Sequence, residues 1–334
     1  MAVKGQPDNG RYGPAWLIQA ARIARRFHLD GASKTDIAAE TGLSRFKVAR
    51  ILEEAHELGL VKVTIAMPSR IDAELSEQVR DRFGLRRVVV VESAEDSPST
   101  VRGHLAEVAA QLLTELVTDR DVLGLSCSRS VAATALALDQ LAPCQVVQLS
   151  GTLAGPDQEN GSVESVRRMA RVSGGPAFPI YSPMVLPDPT TVEALTGQSG
   201  IREAVAKWPD VTVALVAIGA WHAGLSTVWA AVDADTRKEV AAAGGVGEIA
   251  ARVFDTAGEP SLTSLDERVL GISLEGLRAV PDVIGLAFDA RRARAVAAAL
   301  TGRLIDTLVC DAALAHGVLD GVPDRQLPGR EVPA

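Results

Sequence analysis

The stretch Ser33 to Leu60, SKTDIAAETGLSRFKVARILEEAHELGL, decides how the first part of this chain is read. Ser33 stands where a side-chain oxygen can accept from an orphan N–H at the start of a helix. Ile37 and Ala38 give that helix an apolar inner face. Gly42 falls at the sharp turn that follows, where a positive φ brings no Cβ clash. Leu43 fills the space between two helices, and Ser44 caps the second. Val48, Ile51, Leu52 and Ala55 recur at helical spacing on its buried side. Ser44, Arg45, Lys47 and Arg50 gather on or near the other side, at the N-terminal end. Gly59-Leu60 and the alternating run VKVTI then suit a wing. Any helical hairpin has apolar i, i+4 positions; here the caps, the turn glycine, the basic face and the wing agree. They predict a winged helix-turn-helix over residues 14–66 whose second helix offers its N-terminal end to a major groove. The expected DNA contacts are Ser33, Lys34, Ser44, Arg45, Lys47 and Arg50, with Lys62 from the wing.

Charge supports that division. The chain has 334 residues and a formal charge of -8, an unusual balance for a DNA binder. Residues 11–70 carry ten Lys and Arg against six Asp and Glu, an excess of four positive charges. Residues 1–10 balance, so the remainder carries twelve negative charges. A basic head on an acidic body localises phosphate attraction to one end. An excess of four makes a lone head a weak, salt-dependent binder, so pairing of heads is expected. Self-association as a dimer or tetramer and double-stranded operator DNA are the expected macromolecular partners.

Three cysteines, Cys127, Cys144 and Cys310, are odd in number and scattered, with neither a disulfide framework nor a zinc spacing. Five dispersed histidines suggest no metal site, and no cofactor is expected. No signal peptide and no apolar run of about 18 residues is seen, so a cytoplasmic location without membrane partners is expected.

Residues 1–13 read as a polar tail and 67–71 as a linker around Met67-Pro68-Ser69. From 72 to 334, β-branched runs alternate with helical segments. The predicted strands are 87–92, 121–126, 145–150, 178–183, 211–219, 283–288 and 306–311. The predicted helices are 71–83, 100–118, 129–141, 162–173, 190–206, 243–254, 290–301 and 311–319. Near-continuous apolar strands imply a sheet covered on both faces. The fold class is therefore a winged helix-turn-helix followed by an α/β doubly wound, mostly parallel sheet.

In open α/β sheets ligands bind beyond the carboxyl ends of strands. Four such ends are polar here. The first gives Ser126, Cys127, Ser128, Arg129 and Ser130 at a helix start, suited to an anion or polyol. The second gives Ser150, Gly151 and Thr152. The third gives Gly219, Trp221 and His222; Trp221 reads equally as a sugar-stacking ring or an interface aromatic. The fourth gives Asp289 and Arg292. Asp255 and Glu259, in the polar loop after Phe254, complete the candidate set.

The ordered series LGLSCSRSV (123–131), VVQLSG (146–151), VAIGAW (216–221), GGVGEIAARVFDTAGEP (244–260), LGISLEGLRAVPDVIGLAFD (270–289) and LVCDAALAHGVL (308–319), together with the head, resembles the SorC/DeoR-type bacterial sugar-responsive transcription regulators. The resemblance spans nearly the whole chain. It implies an effector domain similar to the sugar-phosphate isomerase and CoA-transferase fold. It also implies a sugar, polyol or phosphosugar effector and an oligomer on DNA. By motif, the family's first ligand loop falls on Ser126 to Ser130, its second on Ser150 to Thr152, and its acidic contact on Glu259. Two departures stand out. Ala287-Phe288-Asp289 replaces an alanine–glycine–glycine turn, with Arg292 at a lysine position, and Cys127-Ser128 replaces a tryptophan–glycine or glycine–glycine pair. These lean toward an unphosphorylated sugar or polyol, while Ser128-Arg129-Ser130 and Arg292 leave a phosphosugar open.

The expected function is a non-enzymatic transcriptional regulator, in the sense of a repressor of a carbohydrate-utilisation operon. A sugar-phosphate isomerase on the same fold is the alternative. It would need a positioned general base, for which Glu259, Asp255 and His222 are candidates without a readable acid–base pair. A pure interaction module, in which the polar loops are only caps, is the other alternative.

Overall fold

The computed structural model describes residues 12–61, 70–92, 97–152 and 161–321. The chain divides into two units between residues 66 and 67. The residues expected to form a wing strand after Val61, Lys62 among them, and most of the expected linker lie outside the described residues.

Among its described residues the first unit holds three helices, α1 (Pro14–His28), α2 (Lys34–Thr41) and α3 (Arg45–Glu57). Pro14 opens α1, where its missing N–H would be an orphan anyway. Ser33 and Asp36 form a reciprocal capping box at α2. Gly42 ends α2 at φ 68°, a left-handed conformation natural to glycine. Two residues later the Ser44 hydroxyl accepts from the Lys47 N–H and starts α3. Ala20, Ile23 and Ala24 of α1, Ile37 of α2, and Val48, Ile51, Leu52 and Ala55 of α3 form one buried cluster. Arg26 ties α1 to α2 by reaching Glu40. The pair is exposed, so geometry rather than stability is what it contributes.

The second unit follows as α4 (Ala73–Phe83), β1 (Arg87–Val91), α5 (Pro98–Leu116), β2 (Val122–Leu125), α6 (Arg129–Ala137), β3 (Gln145–Gln148), α7 (Ser162–Ser173), β4 (Ala177–Phe178), α8 (Pro189–Thr196) and α9 (Ser199–Ala206). It continues through β5 (Val213–Ala217), β6 (Gly219–Ala220), α10 (Thr227–Ala231), α11 (Ala234–Ala242), β7 (Gly247–Ile249), β8 (Arg252–Phe254), α12 (Ser264–Glu267) and α13 (Leu274–Arg278). It closes with β9 (Asp282–Ala287), α14 (Ala293–Thr301), β10 (Thr307–Asp311) and α15 (Ala312–Asp320).

Seven strands form one parallel sheet in the order β1-β10-β9-β5-β2-β3-β4. β2, β9 and β10 are buried throughout, which explains their unbroken apolar runs. Two clusters cover the two faces: Leu123, Leu125, Leu215, Ile284 and Val309 face α5 to α7, while Val216, Val283, Leu308 and Cys310 face α4, α14 and α15. Gly124 lies against Leu149 and Val211 so closely that any Cβ would collide.

The predicted helix at 243–254 does not form. Its residues make β7 and β8, an antiparallel hairpin that joins β6 in a three-stranded sheet. Ala250 and Ala251 turn it with φ of 51° and 67°, the signs of a type I′ turn that normally takes Asn or Gly. Beside the turn, Arg252 ties the hairpin to the 266–272 segment. Its guanidinium donates to the Asp266, Val269, Gly271 and Ile272 carbonyls and pairs with the Asp266 carboxylate at 2.9 Å. Three smaller departures share a cause in turn chemistry. The 190–206 helix breaks at Gly197-Gln198 into α8 and α9. The run 178–183 keeps strand pairing at Phe178 and a single bridge from Pro183 to Thr152, since Pro179 and Pro183 cannot donate to a ladder. The run 211–219 leaves the parallel sheet at Ile218 and enters the small sheet as β6.

Among the described residues no helix is long and apolar enough to cross a membrane.

Candidate functional site

β2, β5 and β9 are adjacent in the sheet, and their carboxyl ends open into one cleft of about 600 Å³, its mouth included. The β2 end supplies Cys127, Ser128, Arg129 and Ser130. Ser128 caps α6 by accepting from the Val131 N–H at 3.0 Å, and Arg129 is exposed beside it. The crossing from β5 to β6 supplies Ala217, Ile218 and Gly219. The β9 end supplies Phe288 and, one turn on, Arg292.

The small sheet closes the cleft from the side and contributes Glu248. Glu248 pairs with Gly219 across β6 and β7. Its Oε1 accepts from the Ser226 hydroxyl at 3.2 Å, and Ser226 in turn accepts from the Trp229 N–H as the cap of α10. Burial pushes the Glu248 carboxyl up to about 7, against the opposing pull of Ser226, the Ala251 N–H and Arg292. This carboxyl is therefore divided between charged and neutral forms near neutral pH.

The Arg292 guanidinium is fixed by donating to the Phe288 carbonyl at 2.8 Å and the Leu225 carbonyl at 3.3 Å. Burial lowers its pKa, with Asp289 working the other way. It lies 5.2 Å from the centre of the Phe288 ring, and the guanidinium of Arg102, on α5, lies 5.5 Å from the same ring. Asp289 sits at φ 81°, a region an L side chain rarely enters. Its N–H donates to the Asp311 carboxylate, and its own carboxylate accepts from the Arg291 side chain. That bond to Arg291 is the main reason its pKa falls below the usual carboxylate value.

Of the sequence-predicted ligand residues, Cys127, Ser128, Arg129, Ser130, Gly219 and Arg292 line the cleft. Asp289 stands just behind Arg292, 3.9 Å away. The others do not line it. Ser126 is buried, and its hydroxyl accepts from the Ala217 N–H, bracing β2 against β5. Ser150 is also buried and accepts from the Cys127 N–H at 3.4 Å, so it supports the β2 loop from beneath. Gly151 and Thr152 are taken up by backbone bonds to Leu270, Ser182 and Met184. Trp221 is half-buried against the cluster that contains Met184, Val228 and Val253. His222 is exposed, its ring bonded to the Ala223 carbonyl. Asp255 accepts from the Ala257 and Glu259 N–H groups and only shapes its own turn. Glu259, at 60 % exposure, pairs with Arg278. The acidic side chain in the cleft is thus Glu248 rather than Glu259. Sequence reasoning misses it together with Arg102 and Ser226, and meets Phe288 only as a departure from the family's turn. Glu248 falls within the segment that reads as a helix, and Arg102 reaches the cleft from a helix that begins well before β2.

On α3 the expected DNA contacts Ser44, Arg45, Lys47 and Arg50 are all exposed. Ser33 is exposed and Lys34 half-buried at the start of α2. The charges along α3 run against its dipole: the first turn has no acid, while Glu53, Glu54 and Glu57 fall in the second half. The helix dipole favours the opposite order by about 0.3–1 kcal/mol per charge.

Comparison with known proteins agrees with this architecture. The family model described as "Putative sugar-binding domain" matches residues 69–320. The chain is 29% identical over 307 residues to the transcriptional regulator YjhU of Escherichia coli, covering 88% of this chain and 92% of that protein. It is 26% identical over 305 residues to the transcriptional regulator LsrR of the same species, covering 90% and 94%. Among solved structures, the full-length sorbitol operon regulator SorC from Klebsiella pneumoniae superposes with a TM-score of 0.71 at 23% identity, covering 91% of this chain and 98% of that one. The sheet, the cleft at its carboxyl edge and these matches lead to one conclusion: the chain belongs to the SorC/DeoR-type family of sugar-binding transcriptional regulators.

Proposed function

We propose that this chain is a repressor of a carbohydrate-utilisation operon whose first unit is a winged helix-turn-helix, and that its hold on operator DNA is set by a small carbohydrate in the cleft at β2, β5 and β9. The observation that carries the reading is the juxtaposition in that cleft of Glu248 with Arg102, Arg129 and Arg292. A carboxyl that can donate or accept, flanked by serine hydroxyls, suits sugar hydroxyls. Three guanidinium groups against one part-neutral carboxyl favour an anionic carbohydrate, a phosphosugar or sugar acid, over a neutral one. This reverses the lean drawn from the sequence departures at 127–128 and 287–289. Ser128 at the start of α6 adds a helix N-terminus to the same side.

Cys127, Ser128, Arg129, Ser130, Glu248 and Arg292 are the proposed ligand contacts, with Ser126, Ser150 and Asp289 holding them in place. Ser44, Arg45, Lys47, Arg50, Ser33 and Lys34 are the proposed DNA contacts, and the reversed charge order of α3 supports this. Acids kept away from the leading end spare the phosphates a repulsive neighbour. Binding rather than turnover is the proposed role of the cleft. Its carboxyl is already engaged with Ser226, and among the described residues lining it there is no histidine to complete an acid–base pair.

A ligand alters DNA affinity only through its differential affinity for two arrangements of the protein. In the proposed oligomer those arrangements differ in the spacing of paired heads, which an inverted-repeat operator would sense. The test is retardation of the DNA upstream of the chain's own gene, repeated with sugars, polyols and their phosphates. Retardation that one phosphosugar abolishes supports the reading. A panel that changes neither DNA binding nor the melting temperature removes the sensor role. Sugar-phosphate isomerisation by the purified protein would reinstate the enzyme alternative.

A further inference from the structure

We propose that Phe46 reads DNA sequence by placing its ring against the 5-methyl group of a thymine in the major groove, an assignment that rests on the first unit being a DNA reader. Phe46 is the second residue of α3 and is 86% exposed, the most exposed large apolar side chain among the described residues. Helix α3 buries Val48, Ile51, Leu52 and Ala55. At 3.6 residues per turn, Phe46 points almost directly away from that face. Arg50, one turn further on, shares its outward side and is also well exposed. The ring thus stands in water, out of reach of the cluster that collects the other apolar side chains of α3.

Its surroundings say what could cover it. Arg45 and Lys47 flank it, Arg50 follows it and Ser44 precedes it, all exposed. An apolar partner surface would have to desolvate three cations together with the ring. A polyanion meets the cations and the ring at once. The major groove of B-DNA is lined by phosphates along its edges, and the apolar group its base edges offer is the thymine methyl. A phenylalanine between Arg45 and Lys47 therefore reads a base that neither cation can specify. Arg45 is suited to guanine and Lys47 to phosphate.

The test uses the full-length protein and a pool of random duplexes, selected in parallel with wild type and Phe46→Ala. Wild type is expected to enrich sites with a thymine at one fixed position of each half-site. Phe46→Ala is expected to lose that preference and keep the others, with an unchanged melting temperature. In the selected duplex, replacing that thymine by uracil removes only the methyl group. It should weaken wild-type binding about fourfold, the worth of one buried methyl, and leave the variant unaffected. The uracil arm is read on wild type and so needs no variant to fold. If Phe46→Ala selects the same sites with the same affinity, or uracil weakens both proteins alike or neither, the assignment is overturned while the DNA reading stands. If wild type enriches no sequence, the DNA reading itself fails and the assignment falls with it.

Discussion

The carboxyl group of Glu248 occupies the space that a side chain at Gly219 would need. The two residues are register partners across β6 and β7, and a Cβ built on residue 219 falls against the Glu248 carboxyl carbon and Oε1. The absence of a side chain at 219 is what lets an acid stand inside the cleft. Gly219→Ala is expected to drive the Glu248 carboxyl off Ser226 and to destabilise the unit by about 1–3 kcal/mol, the usual result of overpacking. Thermal unfolding would show the loss, and carbohydrate-induced stabilisation should vanish with it. An alanine variant with wild-type stability and response would show that Glu248 moves aside freely.

The raised Glu248 pKa has a defined consequence for stability. In the unfolded chain the group titrates near 4.5, and in the folded protein near 7. The folded state therefore binds the proton more tightly, and this contribution is fully present below 4.5 and lost as pH rises through 7. Glu248→Gln carries no such proton. The variant should match wild type near the acid end of that window and be the more stable protein at its alkaline end, by about 3 kcal/mol. Urea unfolding of both proteins across the window is the measure. A difference between the two that does not change with pH would contradict this.

Arg252 is the clamp of the β7–β8 hairpin. Replacing it by Met keeps the stem and removes every donor to the 266–272 segment. Stranded carbonyls and an unpaired Asp266 carboxylate should lower stability by about 3 kcal/mol. The urea midpoint is the direct measure. An unchanged midpoint would mean that water takes over these carbonyls.

For the DNA head, Arg45→Ala is expected to relax sequence preference at one position, whereas Lys62→Ala should weaken all sequences alike and reduce the salt slope by about one. Footprints and binding isotherms at several salt concentrations distinguish the two. A footprint unchanged by Arg45→Ala removes that residue from the reading set.

Much of this architecture is legible in advance because local chemistry and global fold agree. Ser33, Gly42 and Ser44 do in the structure what their residue types suggest, capping and turning the helices around Ile37 and Val48. The parallel strands can be read because burial on both faces leaves unbroken runs such as VIGLA and LVC. The small sheet is hidden because the I′ turn at Ala250-Ala251 carries two helix-favouring residues where Asn-Gly would announce a hairpin. That hidden turn also conceals Glu248, which a helix at 243–254 leaves without a role. The polar loop that follows, with Asp255 and Glu259, carries the acids visible in the sequence, but neither lines the cleft. Arg102 escapes notice for another reason, although Phe288 stands out as a departure at the family's turn. Their meeting joins distant parts of the chain and has no local signature.

Position 289 sets backbone comfort against charge placement. An aspartate at φ 81° holds a conformation that costs of order 1 kcal/mol or more and that glycine would adopt freely. Its carboxylate meanwhile anchors Arg291 and stands next to Arg292. A change to glycine would relieve that backbone and release Arg291, while Arg292 would keep its bonds to the Phe288 and Leu225 carbonyls. Backbone ease and a tether for Arg291 thus cannot both be had at this one position, and the aspartate keeps the tether.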